Sequence, residues 1–261
     1  MRKARFQLKP IEHIGVPETK QNFNKIIFTE VAPRYDFITK ALSFGRDTTW
    51  KRILISQLPE LTAPVCLDLA CGTGDITRLL AIRYPDGKVT GLDLTPAMLE
   101  RARQLTDTPS IQYCEGTMAS LPANPDSIDV VTGGYALRNT PDLNQTIDEI
   151  VRVLRIGGTA TFLDFSKPPG RLGQQITQFL LKLWGGLWGV VLHGNPDVYG
   201  YIADSLRLYP HKLELRKRFL DRGFKLKTGI PFFGGILEIV QFEKGKVESE
   251  EATEEPVSSP P

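Results

Sequence analysis

Short apolar runs alternate with amphipathic stretches between Pro64 and about Phe165. Apolar runs bounded by turn residues are typical of buried strands, and apolar residues three and four positions apart are typical of helices. We therefore predict strands at 65–69, 88–93, 111–114, 128–132 and 159–164. We predict helices at 75–83, from Pro96 onward and at 142–154, and the segment Arg155-Ile-Gly-Gly158 predicts a turn.

Strands that alternate with helices form right-handed βαβ units and a parallel sheet covered on both faces. Two later apolar runs, 224–230 and 235–242, predict an antiparallel pair that completes the sheet. The predicted fold class is therefore α/β, a doubly wound, Rossmann-like and mostly parallel sheet of seven strands. Ligands of such sheets bind in the crevice beyond the carboxyl ends of the strands.

The 261 residues are 41% apolar and 24% charged, a composition typical of a globular chain with a sizeable core. We predict a basic N-terminal extension at 1–17, one domain at 18–245, and helical segments at 18–58 and 171–221 that cap the crevice. The tail, 246–261, holds five glutamates and one lysine without apolar periodicity, so we expect it to be disordered.

Charge and cysteine content narrow the class of protein further. The tail carries a net charge of −4 and the remainder +6, but these positive charges are scattered, which argues against nucleic-acid binding. Contact with an anionic membrane surface stays open, as does a homodimer. Three cysteines suit neither a disulfide framework nor a zinc site, and no metal is predicted. Without a secretory signal or a spanning segment, we expect a soluble, cytoplasmic protein with at most peripheral membrane contact.

A glycine loop, Asp68-Leu-Ala-Cys-Gly-Thr-Gly-Asp75, follows the first strand and precedes a helix. Gly72 and Gly74 allow a tight turn and a close approach of the backbone to a ligand. A dinucleotide loop would have a third glycine at Thr77, and a Walker loop would continue with Gly-Lys and Ser or Thr. The loop therefore favours another nucleoside ligand, although a dinucleotide remains an alternative.

Two aspartates indicate which nucleoside the crevice binds. Asp68 stands directly ahead of the loop, where it suits a cationic group, and Asp93 ends the second strand, where it can accept hydrogen bonds from a ribose diol. S-adenosylmethionine has a ribose, an ammonium group and no phosphate. We predict that it is the cofactor, bound at Asp68, Gly72, Gly74, Asp93 and Leu94. A helix-capping role for Asp93 is the alternative, although Thr95 is better placed to cap.

Several blocks resemble known motifs. Residues 65–75 together with Gly91-Leu-Asp-Leu94 are similar to the first two motifs of class I S-adenosylmethionine-dependent methyltransferases. Tyr35-Asp36 with Ser43-Phe-Gly45 and Trp50-Lys-Arg52 resembles one signature of the ubiquinone/menaquinone C-methyltransferase (UbiE/MenG) family, and Leu137-Arg-Asn139 with Asp142 resembles another. The resemblance extends from about Phe23 to Phe242.

The resemblance implies C-methylation of a reduced prenylated quinol, of the demethylmenaquinol or demethylphylloquinol type. It also implies adenosyl contacts at Thr73, Asp93, Thr117, Met118 and Gly134. The family usually has asparagine at Thr39, histidine at Asp47, and asparagine or Asp-Ala at Thr117-Met118. These differences keep two alternatives open: a methyltransferase for another lipophilic small molecule, and a non-catalytic binding protein with this fold.

A quinol ring carbon attacks a methyl group well only when the neighbouring oxygen is a phenolate, so the phenolic proton must be removed or offset. We expect Arg138 to stabilise that phenolate and Asn139 to position the same oxygen. A structural ion pair between Arg138 and Asp142 is the alternative. The candidates for the base that removes this proton are His193, Asp36, Tyr199 and Tyr201.

The most apolar stretch, Ile176 to Leu192, contains Lys182 and three glycines, which argue against a membrane span. It predicts either a buried cap helix or an apolar wall for a prenyl tail, and the two are compatible. Phe232, Phe233 and Leu237 are predicted to extend that wall.

Overall fold

The computed structural model describes residue 13 and residues 15–246. The described part of the chain contains seven strands and nine α-helices. The strands are β1 (Val65–Leu69), β2 (Lys88–Asp93), β3 (Ile111–Glu115), β4 (Ile128–Gly134), β5 (Leu154–Phe165), β6 (Phe224–Phe232) and β7 (Leu237–Lys244). The helices are α1 (Pro17–Val31), α2 (Tyr35–Leu42), α3 (Asp47–Ser56), α4 (Asp75–Arg83), α5 (Pro96–Gln104), α6 (Leu143–Val153), α7 (Arg171–His193), α8 (Asp197–Leu208) and α9 (Lys212–Leu220). Residues 1–12, residue 14 and residues 247–261 lie outside the described residues, so most of the predicted N-terminal extension and nearly all of the predicted disordered tail fall outside them.

All seven strands form one sheet in the order β3-β2-β1-β4-β5-β7-β6. Strands β1 to β5 are parallel to one another, and β7 runs antiparallel to both β5 and β6. The predicted seven-stranded, mostly parallel sheet with a late antiparallel pair is confirmed. The chain proceeds outward from β1 to β3 and then crosses to β4, so the switch point lies between β1 and β4, where a crevice opens at the carboxyl ends.

The predicted turn at Arg155–Gly158 is wrong, because these residues lie within β5. Ile128 pairs with Leu154 and Val130 pairs with Thr159, so the extra residues of β5 bulge out between two paired segments. Gly157 has a φ of +78°, which explains why the sequence has the composition of a turn. Pairing on both sides of the bulge keeps the chain in the sheet.

Two apolar layers cover the faces of the sheet. On one face Phe219 of α9 stacks on Phe242 of β7 with ring centroids 4.2 Å apart, and Phe162 of β5 packs beside them. On the other face Leu54 of α3 and Leu80 of α4 are fully buried. Within the predicted cap segments 18–58 and 171–221, residues of α1, α2, α7 and α8 line the crevice, whereas α9 and most of α3 pack on the sheet. The domain bounds stay a prediction.

Helix α7 contains the apolar stretch predicted from the sequence. It packs closely on α8 at Gly185, where a Cβ would lie 2.7 Å from the backbone oxygen of Tyr199, and on the turn before α8 at Gly189, where a Cβ would meet the backbone of Asn195 and Pro196. Its other face is exposed, which corrects the interpretation of a buried cap helix. Eight large apolar side chains of α7 lie at helical spacing on that face: Leu172, Ile176, Phe179, Leu180, Leu183, Leu187, Val190 and Val191. Within the described chain, no helix is long and apolar enough to cross a membrane.

Candidate active site

A cavity of about 770 Å³ lies between the carboxyl ends of β1, β2 and β4 and the cap helices. Its walls are largely apolar, and Asp93 and Arg138 are the two charged side chains among the described residues that line it. Asp93 ends β2, and Arg138 follows β4. These strands are separated by β1 alone, so their carboxyl ends lie about 10 Å apart. The cavity therefore has an acidic side and a basic side with apolar walls between them.

The acidic side consists of the Asp93 carboxylate, which is held by two backbone N–H groups. The Gly72 N–H donates to Asp93 Oδ2 and the Thr95 N–H donates to Asp93 Oδ1, each at 2.8 Å. Burial raises the pKa of Asp93, while these N–H groups oppose the rise. Gly72 has a φ of +56°, which glycine adopts without strain. The predicted residues that line the cavity on this side are Gly72, Asp93, Leu94, Thr117, Met118 and Gly134.

Three predicted cofactor residues do not line this cavity. Asp68 and Thr73 line a small adjoining pocket of about 20 Å³. The Asp68 carboxylate accepts hydrogen bonds from Thr77 Oγ1 at 2.6 Å and Thr132 Oγ1 at 2.9 Å, and burial raises its pKa to about 6. Gly74, with a φ of +82°, precedes α4, and a Cβ there would collide with the Tyr113 hydroxyl. A contact of Asp68 with the ammonium group stays a prediction.

The basic side is held by a buried ion pair. Asp164 accepts the Arg138 backbone N–H at 3.0 Å, and its Oδ1 lies 3.8 Å from Arg138 Nε. Arg138 Nη1 donates to Ser205 Oγ, and the guanidinium lies over the rings of Phe165 and Tyr201, 5.1 and 5.6 Å from their centroids. Burial raises the pKa of Asp164, and the charge of Arg138 opposes that rise. The guanidinium is thereby fixed in place with only 3% of the residue exposed.

The alternative ion pair between Arg138 and Asp142 is not formed. Asp142 instead caps α6, where its Oδ1 accepts the backbone N–H groups of Asn144 and Gln145 at 2.8 and 3.1 Å. The partner of Arg138 comes from β5, which is adjacent to β4 in the sheet but distant in sequence.

Two polar atoms beside the cavity have no hydrogen-bond partner in the described structure: Arg138 Nε and Asn139 Oδ1. Asn139 Nδ2 donates to the backbone oxygen of Tyr135 at 2.9 Å, which holds the amide in place. A donor and an acceptor left unpaired by the protein favour a ligand with a polar oxygen. Lys20 donates to the backbone oxygen of Arg138 at 3.1 Å; burial, helped by the charge of Arg138, lowers the pKa of Lys20 to about 8.

The four candidate bases are placed differently. Tyr201 lines the cavity beside Arg138. Tyr199 also lines it, but its hydroxyl is 2.9 Å from His193 Nε2. His193 is absent from the described lining, and its Nδ1 is 3.4 Å from Glu30. Asp36 accepts a hydrogen bond from Thr73 Oγ1 at 2.7 Å and is likewise absent from that lining.

Sequence reasoning missed Tyr135, which lines both the cavity and the small pocket. Its hydroxyl donates to Asp47 Oδ1 at 2.8 Å, and Asp47 Oδ2 is 2.6 Å from Lys51 Nζ. Tyr135 has a φ of +58°, a conformation that is uncommon outside glycine and often found at functional sites. A lone tyrosine after Gly134 carries no periodic signal, so the sequence pattern alone could not find it. No cluster of metal-ligating side chains occurs in residues 13 and 15–246.

Most of this chain is similar in sequence to proteins of one methyltransferase family. The model of the ubiE/COQ5 methyltransferase family matches residues 16–241. A 2-phytyl-1,4-naphtoquinone methyltransferase of Thermosynechococcus vestitus is 36% identical over 84% of this chain and 97% of its own length. A demethylmenaquinone methyltransferase of Thermus thermophilus is 33% identical over 80% of this chain and 96% of its own. The fold is similar to that of a SAM-dependent methyltransferase from Thermotoga maritima, with a TM-score of 0.59, 17% identity, and coverage of 84% of this chain and 99% of that one.

The raised pKa of Asp68 predicts a pH-dependent stability. In the unfolded chain Asp68 has the ordinary pKa of an aspartate, 3.8, whereas in the folded chain burial raises that pKa to about 6. The unfolded state therefore binds fewer protons in that interval, so stability falls as the pH rises through it. Relative to Asp68→Asn, the wild type should lose about 2 kcal/mol of unfolding free energy between pH 4 and 6.

Urea unfolding of both proteins at several pH values measures this difference. Because the other ionisable groups are shared, their contributions cancel in the comparison. A difference that stays constant from pH 4 to 6 would show that Asp68 is ionised in the folded state throughout.

Proposed function

The chain belongs to the ubiE/COQ5 methyltransferase family, and from that premise we propose that its substrate is a reduced, prenylated quinol methylated at a ring carbon. It is an S-adenosylmethionine-dependent methyltransferase. The two relatives compared above are named for 2-phytyl-1,4-naphtoquinone and demethylmenaquinone. The observation that carries the proposal is the apolar cavity with one acidic and one basic side.

The acidic side fits the nucleoside of the methyl donor. Each Asp93 oxygen accepts one backbone N–H and has a further lone pair for a ribose hydroxyl. Gly134 lines the cavity at the end of β4, and a Cβ there would lie 2.8 Å from Ile76 Cδ1, so the glycine allows α4 to pack closely on β4. When bound, the cofactor supplies an electrophilic methyl group on a sulfonium. The chain's own task is to hold both reactants in line, which can be worth about 7–11 kcal/mol.

The basic side fits the oxygen of a quinol ring. The carbon next to a phenolate is nucleophilic, whereas a quinone carbon is not, so the reduced ring is the substrate. Arg138 remains a cation near neutral pH and stabilises the negative oxygen without acting as a base. Its unpaired Nε and the unpaired Asn139 Oδ1 can bond the ring oxygen in its anionic and protonated forms, respectively. An apolar surrounding strengthens these interactions.

The walls fit an isoprenoid tail. Leu180, Leu183 and Trp184 of α7 line the cavity together with Leu42 and Phe44 from the α2 region. Phe233 and Leu237 line it as predicted, whereas Phe232 packs against Trp50 and is absent from the described lining. Burial of a tail against such walls stabilises the complex by about 0.8 kcal/mol per methylene. The tail therefore contributes binding energy that a bare ring lacks.

We expect methyl transfer to a dithionite-reduced demethylnaphthoquinol that carries a prenyl tail. A tailless ring should react with a kcat/KM at least ten times lower, and the oxidised quinone should not react. Incubation with labelled methyl donor and mass identification of the product measures all three. Equal kinetics for the tailless ring would contradict the apolar pocket, and a preference for unrelated phenols would favour the alternative of another lipophilic substrate.

Arg138→Lys should lower kcat about 100-fold, because the shorter ammonium cannot keep both the Asp164 contact and a position beside the ring oxygen. The KM for S-adenosylmethionine should change less than twofold, since Asp93 lies on the other side of the cavity. Steady-state kinetics separate the two parameters. Arg155→Lys, at a half-exposed arginine paired with Asp129, is the matched control. An unchanged kcat would make Arg138 a structural residue.

We further propose that the exposed face of α7 contacts a membrane. Leu180, Leu183 and Leu187 are exposed and also line the cavity, so the apolar surface is continuous from the outside to the inside. Phe44, 70% exposed, stacks on Trp184 at the same side, 5.2 Å between ring centroids. A bilayer is the medium in which a prenylated substrate is dissolved, and the net charge of +6 outside the acidic tail favours an anionic surface.

The full chain should co-sediment with vesicles that contain phosphatidylglycerol and bind those of phosphatidylcholine alone more weakly. Phe179→Asp with Val191→Asp should reduce binding at least tenfold without affecting turnover of detergent-dissolved substrate, because neither residue is among those described as lining the cavity. Ile82→Asp, at another exposed apolar side chain on α4, is the control. If the double variant instead dissociates a dimer and binds vesicles normally, the face is a subunit interface.

A further inference from the structure

We propose that Tyr135 is a catalytic residue that takes the phenolic proton from the bound quinol, and that Asp47, Lys51 and Asp75 carry the released proton to solvent. This inference rests on the proposed function, since it requires an acceptor that must lose a proton. It supplies the base that none of the residues selected from the sequence provides.

Tyr135 is positioned to meet the ring oxygen. Its side chain lines the cavity, and its ring centroid lies 5.7 Å from that of Phe165, the ring over which the Arg138 guanidinium is placed. Arg138 and Tyr135 thus border the same part of the cavity. Because the Tyr135 O–H is committed to Asp47 at 2.8 Å, the lone pairs of its oxygen are free to accept a proton from a ligand.

A continuous hydrogen-bonded chain leads away from Tyr135. Asp47 is 3% exposed and lies 2.6 Å from Lys51 Nζ, which also donates to Asp75 at 2.9 Å. The Asp75 side chain is 39% exposed and reaches solvent. The chain of four side chains therefore runs from the cavity wall, through a buried carboxylate and ammonium, to the surface of the protein.

The charges along this hydrogen-bonded chain favour transfer of a proton through it over retention of the proton at one group. Burial alone would lower the pKa of Lys51, but the charges of Asp47 and Asp75 raise it, so Lys51 stays a cation. Since Lys51 serves two carboxylates, Asp47 can accept a proton while Lys51 keeps Asp75 as a partner. Burial, together with the charge of Asp47, raises the pKa of Tyr135 well above its ordinary value. Tyr135 is therefore a neutral relay whose own proton leaves as the substrate's arrives.

Other charged and titratable groups face the chain from the elements packed around it. Tyr35 of α2 and Asp164 of β5 both raise the pKa of Tyr135. Arg78 of α4 bonds Asp75 at 2.5 Å, and Lys40 of α2 also acts to lower the pKa of Asp75, against the effect of burial. The counter-charges of Lys51 and Arg78 offset those of Asp47 and Asp75, so the chain is electrically balanced.

The phenolic O–H bond of the substrate breaks and its proton binds Tyr135 Oη, while the Tyr135 proton moves to Asp47. Lys51 passes a proton to Asp75, which releases it to water, and Lys51 recovers one from Asp47. The electron pair left on the ring oxygen moves into the ring as the adjacent carbon bonds the methyl group, and the carbon–sulfur electron pair stays on sulfur. The hydrogen on that carbon then leaves as a proton and one proton returns to the oxygen, so one proton is released in total.

The alternatives among the cavity tyrosines fit less well. The Tyr199 hydroxyl is engaged by His193 at 2.9 Å. Tyr201 lies beneath the Arg138 guanidinium, and no carboxylate accepts its hydroxyl proton in the described part of the chain. Tyr135 is the cavity tyrosine whose hydroxyl, within the described residues, donates to a carboxylate.

The test is the pH dependence of kcat for Tyr135→Phe and Asp47→Asn, measured with the reduced prenylated quinol. At pH 7 we expect Tyr135→Phe to lose about 100-fold in kcat, within the range for acid–base catalysis. The loss should shrink towards pH 10, near the pKa of a phenol, because hydroxide then ionises the substrate. Asp47→Asn should lose less at pH 7 and show the same recovery, since its amide oxygen still accepts the Tyr135 proton in a hydrogen bond but cannot bind it.

Tyr84→Phe is the matched control, because the Tyr84 hydroxyl donates to the backbone oxygen of Pro59 at 2.6 Å, outside the cavity. Its kcat should equal that of the wild type at every pH. Calorimetric binding of S-adenosylmethionine checks that each variant is folded. An unchanged kcat in Tyr135→Phe, or a loss that is the same at pH 7 and pH 10, overturns the inference. The activity of the wild type on the reduced quinol is measured first. If the wild type methylates no reduced quinol, the proposed function is refuted instead.

Discussion

The structure depends on holding two opposite charges inside an apolar cavity. An ionised carboxylate or guanidinium away from water is costly unless the protein supplies hydrogen bonds or a counter-charge. Asp93 accepts hydrogen bonds from two backbone N–H groups. Arg138 forms an ion pair with Asp164 and donates a hydrogen bond to Ser205. The glycine loop, the end of β5 and helix α8 are therefore all required to keep the two charges in position. Because the walls exclude water, each charge acts strongly on whatever occupies the space between them.

The same need for an apolar interior explains the cap. Helices α1, α2, α7 and α8 enclose the cavity, and α7 does so while leaving a row of large apolar side chains exposed. Exposed apolar rows of this length are rare on monomeric soluble proteins and mark surfaces of interaction. Gly185 and Gly189 allow α7 to pack tightly on α8 and on the turn before it, which directs its larger side chains away from α8. The helix is thus both a wall of the cavity and a surface that faces outward.

Many of the elements follow from local sequence. The alternation of apolar strands with amphipathic helices, Pro96 at the first turn of α5 and the cap at Asp142 each depend on residues close together in the chain. The ends of β2 and β4 could be located in the same way, which is why Asp93, Arg138 and Asn139 were found as candidates for the site. The bulge at 155–158 was missed because its glycines have the local chemistry of a turn, while pairing with β4 on either side keeps it in the sheet.

The sequence by itself determined the fold class, the family resemblance and the residues at the strand ends. Only the tertiary structure decided their partners. Arg138 pairs with Asp164 instead of Asp142, His193 binds Tyr199 outside the described lining, and Tyr135 meets Asp47, which is 88 positions away. The contacts of Arg138 and Tyr135 join segments distant in the chain, and the hydrophobic periodicity of the sequence does not indicate them. Their physical reason is burial: once packing removes water, each polar group must bond to whichever group the fold places beside it.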